Sequence, residues 1–408
     1  MLVSPASGVT GAYRKGTIME TCDVLIIGGG PAGSSCAWKL RQSGLNVVIL
    51  DKAQFPRHKV CAGWITPPVL DELQIDVADY AQQAVIQPIT RFLTGMIGGR
   101  EVETTYAETV SYGIRRFEFD NYLLRRSGAK LKLGEPFRTI RGEGSDWVVN
   151  ESIRSPLVIG AGGHFCPVAR HYSTTSDTAP GTADASKPAA RQQAELPVVV
   201  AQEIEFEMTA AQSERCTVLP DRPELLFCPD LKGYGWIFRK RDWLNIGLGR
   251  EQEGHLSSHV AAFVAALQSQ GKIPEDLPGP FHGHAYKLRT SIPRPSTPTG
   301  ILLIGDSAGL ADSNSGEGIR PAIESGLLAA ATILELGGQN VANLTSIYGE
   351  KLRGRFTDSV SALGGISGCL PQFARQYAAS WLMTSRWFSR QVLLDRWFLH
   401  AEVPALRV

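Results

Sequence analysis

Three glycines at the spacing Gly28-x-Gly30-x-x-Gly33 follow an apolar run, Val24–Ile27, and precede a segment that opens at Pro31. That order, strand then glycine turn then helix, is what a dinucleotide phosphate needs. Gly28 permits the tight turn, Gly30 lets the backbone approach a pyrophosphate, and Gly33 lets the helix pack close to the strand. Free N–H groups at the helix start, around Pro31 and Ala32, and the helix dipole favour the anionic phosphates. A second apolar run, Val47–Leu50, ends at Asp51 and Lys52. A carboxylate there is placed to accept ribose hydroxyls. These residues together read as a cofactor cradle.

The elements that must hold this chemistry in place recur along the chain. Leu157–Gly160 is a second apolar strand running into Ala161, Gly162 and Gly163. Ile301–Ile304 is a third, running into Gly305 and Asp306. Strand-like segments fill the region between these two, including Trp236–Phe238 and Asn245–Leu248. Helical spacing marks 116–124, 256–269 and about 317–336. The expected fold is therefore α/β. A Rossmann-like cofactor domain is assembled from discontinuous segments, a β-rich substrate domain is inserted in it, and a helical C-terminal region follows. The cofactor domain is expected at 20–85, 114–170 and 296–345, and the substrate domain at 86–113 and 194–295. Residues 1–19 read as a flexible extension, the Ser/Thr/Ala/Pro-rich stretch 171–193 as a mobile insert, and 346–408 as helical.

Composition narrows the functional classes. The 408 residues carry a formal net charge of +1, which gives no long-range attraction to nucleic acid. The 7 cysteines are dispersed with no Cys-x-x-Cys, as expected of free thiols in a reducing, cytoplasmic compartment. No apolar stretch is long enough to span a bilayer. His282-x-His284 lacks a carboxylate or thiol at ligand spacing, so no metal is expected. The run from Arg386-Trp387 to Trp397-Phe398 reads as a capping helix in preference to a membrane-binding one.

Several motifs together resemble the geranylgeranyl reductase family, within the superfamily of FAD-dependent hydroxylase-type flavoproteins. Gly305-Asp306-Ser-Ala-Gly309, Gly316-Glu-Gly318-Ile319 and Ala322-Ile-Glu-Ser-Gly326 resemble the superfamily's second flavin fingerprint. Phe55-Pro-Arg57-His-Lys59-Val-Cys61-Ala62-Gly63 resembles that family's F-P-R-x-K-x-C-G-G. Arg116-x-x-Phe119-Asp120-x-x-Leu123 resembles its R-x-x-F-D-x-x-L element, and Tyr234-Gly-Trp236-Ile-Phe238 resembles its Y-x-W-x-F-P strand. The resemblance implies FAD as the cofactor. Asp306 would meet a ribityl hydroxyl, and the bare N–H groups at Gly316, Gly318 and Ile319 would face the anionic end of a reduced flavin. Ala161, Gly162, Gly305, Ala62 and Gly63 would complete the cofactor contacts. Arg57 and Lys59 would meet cofactor phosphate or a substrate diphosphate, Cys61 would lie beside the flavin, and Arg116 would contact the cofactor or pair with Asp120. Tyr234, Trp236 and Phe238 alternate along one strand and so share a face, as an aromatic wall for an isoprenoid chain would.

The implied activity is reduction of carbon–carbon double bonds in a prenyl or related hydrophobic substrate. Cys61, Tyr234 and Trp236 are the candidate catalytic residues, with Cys61, Tyr234 or water as proton donor. NADPH or a ferredoxin would reduce the flavin, and a prenyl-lipid substrate would bring transient contact with a membrane surface. The alternative is a flavin monooxygenase acting on a secondary metabolite. A halogenase fits less well, because the W-x-W-x-I-P element is absent. The chain departs from the family pattern at Ala62, where glycine is usual, and at Arg239, where proline usually ends the strand. Gly162 replaces the Asp of the superfamily's G-A-D-G.

Overall fold

The computed structural model describes residues 19–175, 198–251, 255–287, 299–312, 315–337, 341–356 and 381–408. The expected extension before Met19, and the expected insert beyond Thr175, lie outside the described residues. Its first positions, through Thr175, close the helix Pro167–Thr175.

Five strands form one parallel sheet, in the order Ile301–Leu303, Leu157–Gly160, Val24–Ile27, Val47–Asp51, Lys130–Leu133. The three apolar runs that end in glycine turns are thus neighbours. Val24 stands opposite both Leu157 and Val47, and Val158 stands opposite Ile301, so the three turns emerge at one edge. Strands covered on both faces must be apolar throughout, and Val24–Ile27 and Leu157–Gly160 are buried at every position. On one side the helices Pro31–Leu40 and Ile319–Glu335 lie against each other. Their contact is close because Gly326 has no side chain: a Cβ there would sit 2.3 Å from the Ala32 carbonyl oxygen. Ile140, Val149 and Ile153, from a small sheet, belong to the same core.

A seven-stranded sheet stands beside this layer. Its order is His282–Lys287, Val198–Glu207, Trp243–Glu251, Gly233–Lys240, Glu224–Phe227, Arg91–Met96, Glu101–Thr105. It joins segments far apart in sequence: Arg91–Met96 pairs in parallel with Glu224–Phe227. The strand Gly233–Lys240 runs on through Arg239 to a hairpin at Arg241, whose φ is 57°. The helix Leu256–Ser269 packs Val260, Phe263 and Leu267 on one face of the sheet. The opposite face meets the C-terminal segment 386–398 through Leu393, Leu394 and Phe398. Among the described residues no helix is long and apolar enough to cross a membrane.

Candidate active site

The crevice at the carboxyl ends of the parallel strands opens into one cavity of about 490 Å³, bounded on its far side by the seven-stranded sheet. The glycine turn forms its floor. Gly28 has φ of 118°, and a Cβ there would lie 2.4 Å from the Ala161 carbonyl oxygen, so only glycine fits. The helix Pro31–Leu40 starts at Gly30 with no side-chain cap and no acidic residue in its first turn, leaving its N–H groups turned toward the cavity. Asp51 Oδ2 accepts from the Gly29 N–H at 2.7 Å and Oδ1 from the Ala53 N–H at 2.8 Å, which fixes the carboxylate beside the turn. Pro31, Ala32, Lys52, Ala161 and Gly162 share this wall.

A second wall is cationic. Arg116, buried, donates through Nε and Nη2 to both oxygens of Asp120, at 2.6 and 2.7 Å. Arg57 Nη2 reaches the same carboxylate at 3.2 Å and stacks over Phe55. Arg116 therefore pairs with Asp120 and lines the cavity at once, where the sequence left the two as alternatives. Burial pulls the Arg116 guanidinium down, but Asp120 outweighs it and holds the group above its ordinary value. Lys59 lines the cavity beside these arginines. Burial, then Arg116, lowers its ammonium to about 8, against the opposing pull of Cys61 and Asp306. Cys61 faces Arg116, and its Sγ accepts from the Gly63 N–H at 3.4 Å.

Asp306 enters from the third parallel strand, in a turn of 3-10 helix that it does not cap. Burial raises its carboxyl above the usual range, opposed by Lys59, Arg116 and His164. Gly316, Gly318 and Ile319 line the cavity where the helix Ile319–Glu335 begins. Gly316 has φ of 71°, and a Cβ there would strike the Tyr286 hydroxyl at 2.5 Å. Glu317 pairs with His400 of the C-terminal segment at 3.3 Å.

The last wall is aromatic. Tyr234 and Trp236 line the cavity; Phe238, on the same strand face, is fully buried behind Trp64. The Tyr234 hydroxyl donates to the Ser315 carbonyl at 2.6 Å, and burial pushes its phenol well up. The Trp236 Nε1 donates to Asn245 Oδ1 at 2.7 Å. Asn245 Nδ2 in turn donates to the Cys61 carbonyl at 3.2 Å and to Glu203 at 3.3 Å, tying the thiol loop to the sheet.

Three residues expected in the cofactor contacts stand behind the wall. Gly33 lies under the turn, where a Cβ would be 2.0 Å from the Gly28 carbonyl oxygen. Gly63 backs onto the Ile114 carbonyl and the Lys240 ammonium. Gly305 packs on Ala32 and Ala322. Each makes room for the wall without facing the cavity. Conversely, Trp64, His164, His284, Tyr286 and Phe398 line it and were not foreseen as site residues. Strand alternation carries His284 and Tyr286 to one face, a signal available once the strand His282–Lys287 is assigned.

The residues present fit FAD. Arg57 Nη1, Trp64 Nε1 and Thr66 Oγ1 are buried, line the cavity and have no hydrogen-bond partner among the described residues. Unsatisfied donors of this kind are expensive unless a ligand accepts from them. No described group donates to the Asp306 carboxylate either, which leaves it for a hydroxyl.

Comparison with known proteins agrees. The family of FAD dependent oxidoreductases matches residues 23–102. The chain is an FAD-dependent oxidoreductase. This oxidoreductase is 27% identical to the geranylgeranyl diphosphate reductase of Rhodobacter capsulatus over 76% of its own length and 74% of the relative's. It is 26% identical to the menaquinone reductase of Mycobacterium tuberculosis, over 77% of each chain. These relatives bear out the resemblance to geranylgeranyl reductases read from the motifs. The oxidoreductase also shares its fold with a geranylgeranyl bacteriochlorophyll reductase-like protein of Thermoplasma acidophilum. The TM-score is 0.68 at 20% identity, covering 90% of this chain and 88% of that one.

Proposed function

We propose that this oxidoreductase reduces carbon–carbon double bonds of a prenyl or closely related hydrophobic chain. The observation that carries the reading is the meeting of a cofactor cradle and an aromatic wall in one cavity, which Cys61 also lines, near Arg116 and Tyr234. FAD bound on the glycine turn would supply hydride to the alkene. The turn and helix start at Gly28, Gly30 and Pro31 would take the pyrophosphate, Asp51 the ribose, and Asp306 a ribityl hydroxyl. Gly316, Gly318 and Ile319 would offer N–H groups to the negative charge of the reduced state. Arg57, with one donor nitrogen that has no partner among the described residues, would take a phosphate oxygen.

An isolated alkene accepts hydride poorly, so a proton must be delivered. The geometry favours Cys61 over the other candidates. The Tyr234 proton is engaged by the Ser315 carbonyl and the Trp236 N–H by Asn245. These two side chains then hold the chain in place, and Cys61 holds the proton at Sγ, on a loop fixed by Asn245. NADPH or a ferredoxin would reduce the enzyme, and a prenyl-lipid substrate would be drawn from a membrane surface.

The test is anaerobic mixing of chemically reduced holoenzyme with geranylgeranyl diphosphate, followed by flavin absorbance. Reoxidation without oxygen that is slowed strongly in Cys61→Ser, at full FAD occupancy, is the expected result. Reoxidation only on admitting oxygen would move the enzyme to the monooxygenases.

A further inference from the structure

The aromatic wall of the cavity includes a residue from the C-terminal segment. Phe398 lines the cavity, yet it belongs to the C-terminal segment and to neither of the large sheets. Its ring stacks on Trp64 at 5.5 Å, meets Tyr234 edge-on at 5.4 Å and reaches Phe227 at 6.4 Å. Four rings thus pack in one corner: Tyr234 and Phe227 from the seven-stranded sheet, Trp64 from a short strand, and Phe398 from the C-terminal segment.

The backbone that presents Phe398 is anchored on both sides. Before it, Tyr106 donates to Asp395 Oδ1 at 2.6 Å, and Leu393 and Leu394 are fully buried. At its end the Leu399 N–H donates to the Leu394 carbonyl in a π-helical turn. Beyond it, His400 pairs with Glu317, and Arg320 donates to the Val403 and Pro404 carbonyls at 2.9 and 2.8 Å. A ring held this firmly is a fixed stop, not a swinging gate.

We propose that Phe398 sets how long a linear hydrophobic chain the cavity accepts. The inference rests on the prenyl reading above and adds the residue that measures the chain. Truncating the ring frees a space about the bulk of one isoprene unit between Trp64, Phe227 and Tyr234. Pocket contacts of that size discriminate between homologous chains by about tenfold or more.

The experiment compares wild-type holoenzyme with Phe398→Ala and Phe398→Leu. Each is titrated with geranyl, farnesyl and geranylgeranyl diphosphate, with the change in bound-flavin absorbance as the readout, and anaerobic turnover is measured separately. Phe398→Leu keeps an apolar contact, so it carries the test even if the alanine variant does not fold. The expected result is a shift of the Kd ratio by about tenfold toward the longer chain. An unchanged ratio in a variant with full FAD occupancy overturns the proposal, as does wild-type enzyme that binds none of the three. A shifted ratio without turnover upholds Phe398 as the stop and removes only the reduction reading.

Discussion

Asp120 holds two cavity arginines with one carboxylate, and replacing it by asparagine isolates that function. The side chain is fully buried, and it accepts two hydrogen bonds from buried Arg116 and lies 3.2 Å from Arg57. Asparagine keeps the shape and one acceptor but leaves the Arg116 charge uncompensated. Removing one partner of a buried pair costs about 3–5 kcal/mol, because the remaining charge stays desolvated. For a chain of this size that lowers Tm by on the order of 4–6 °C. Urea unfolding of holoenzyme, followed by circular dichroism, measures the loss, and flavin absorbance reports cofactor retention. The double variant Asp120→Leu/Arg116→Met, which removes both charges of the pair, is expected to recover part of the loss. A loss below about 1 kcal/mol in Asp120→Asn would mean that Arg116 does not depend on this carboxylate, since that is the size of an ordinary surface substitution.

Three further outcomes follow from the same structure. Gly30→Val and Asp306→Ala should each yield folded but colourless protein, because one blocks the helix start and the other removes the carboxylate awaiting a hydroxyl; flavin absorbance of the purified variants checks this. Burial raises Glu203 to about 7, against the opposing Cys61 amide and Lys240. The folded state therefore binds more protons than the unfolded one between the ordinary carboxylate range and pH 7. Stability falls as pH rises through that window, and Glu203→Gln should flatten the urea midpoint against pH and be the more stable form above it. Gly326→Ala, which forces a Cβ against the Ala32 carbonyl, should lower Tm by several degrees, whereas Gly354→Ala, at an open position of the helix Val341–Phe356, should not lower it.

The cofactor side of the site was readable in the sequence because backbone geometry imposes it. Gly28, Asp51 and Asp306 each follow an uninterrupted apolar strand, and buried parallel strands leave a strong local signal. Arg116 and Asp120 stand at helical i, i+4 spacing, which allowed a pair, but the sequence left pairing and cofactor contact as alternatives for Arg116. The far wall was less legible. Trp64, Tyr286 and Phe398 reach the cavity only through the pairing of distant strands and the docking of the C-terminal segment, which no local pattern encodes. Phe238 shares a strand face with Trp236, as alternation requires, but that face extends past the cavity into the core. Burial, then Lys59, His164 and Arg116, lower the His284 imidazole to about 4, a setting that only the assembled cavity supplies.

The central claim is that cradle and aromatic wall serve one reaction, addition of hydrogen across a prenyl double bond. Mass spectrometry of the products made by chemically reduced holoenzyme from geranylgeranyl diphosphate, with and without oxygen, tests it most directly. The expected products are heavier by pairs of hydrogen atoms and form equally well without oxygen. Products heavier by an oxygen atom, formed only in air, would contradict it.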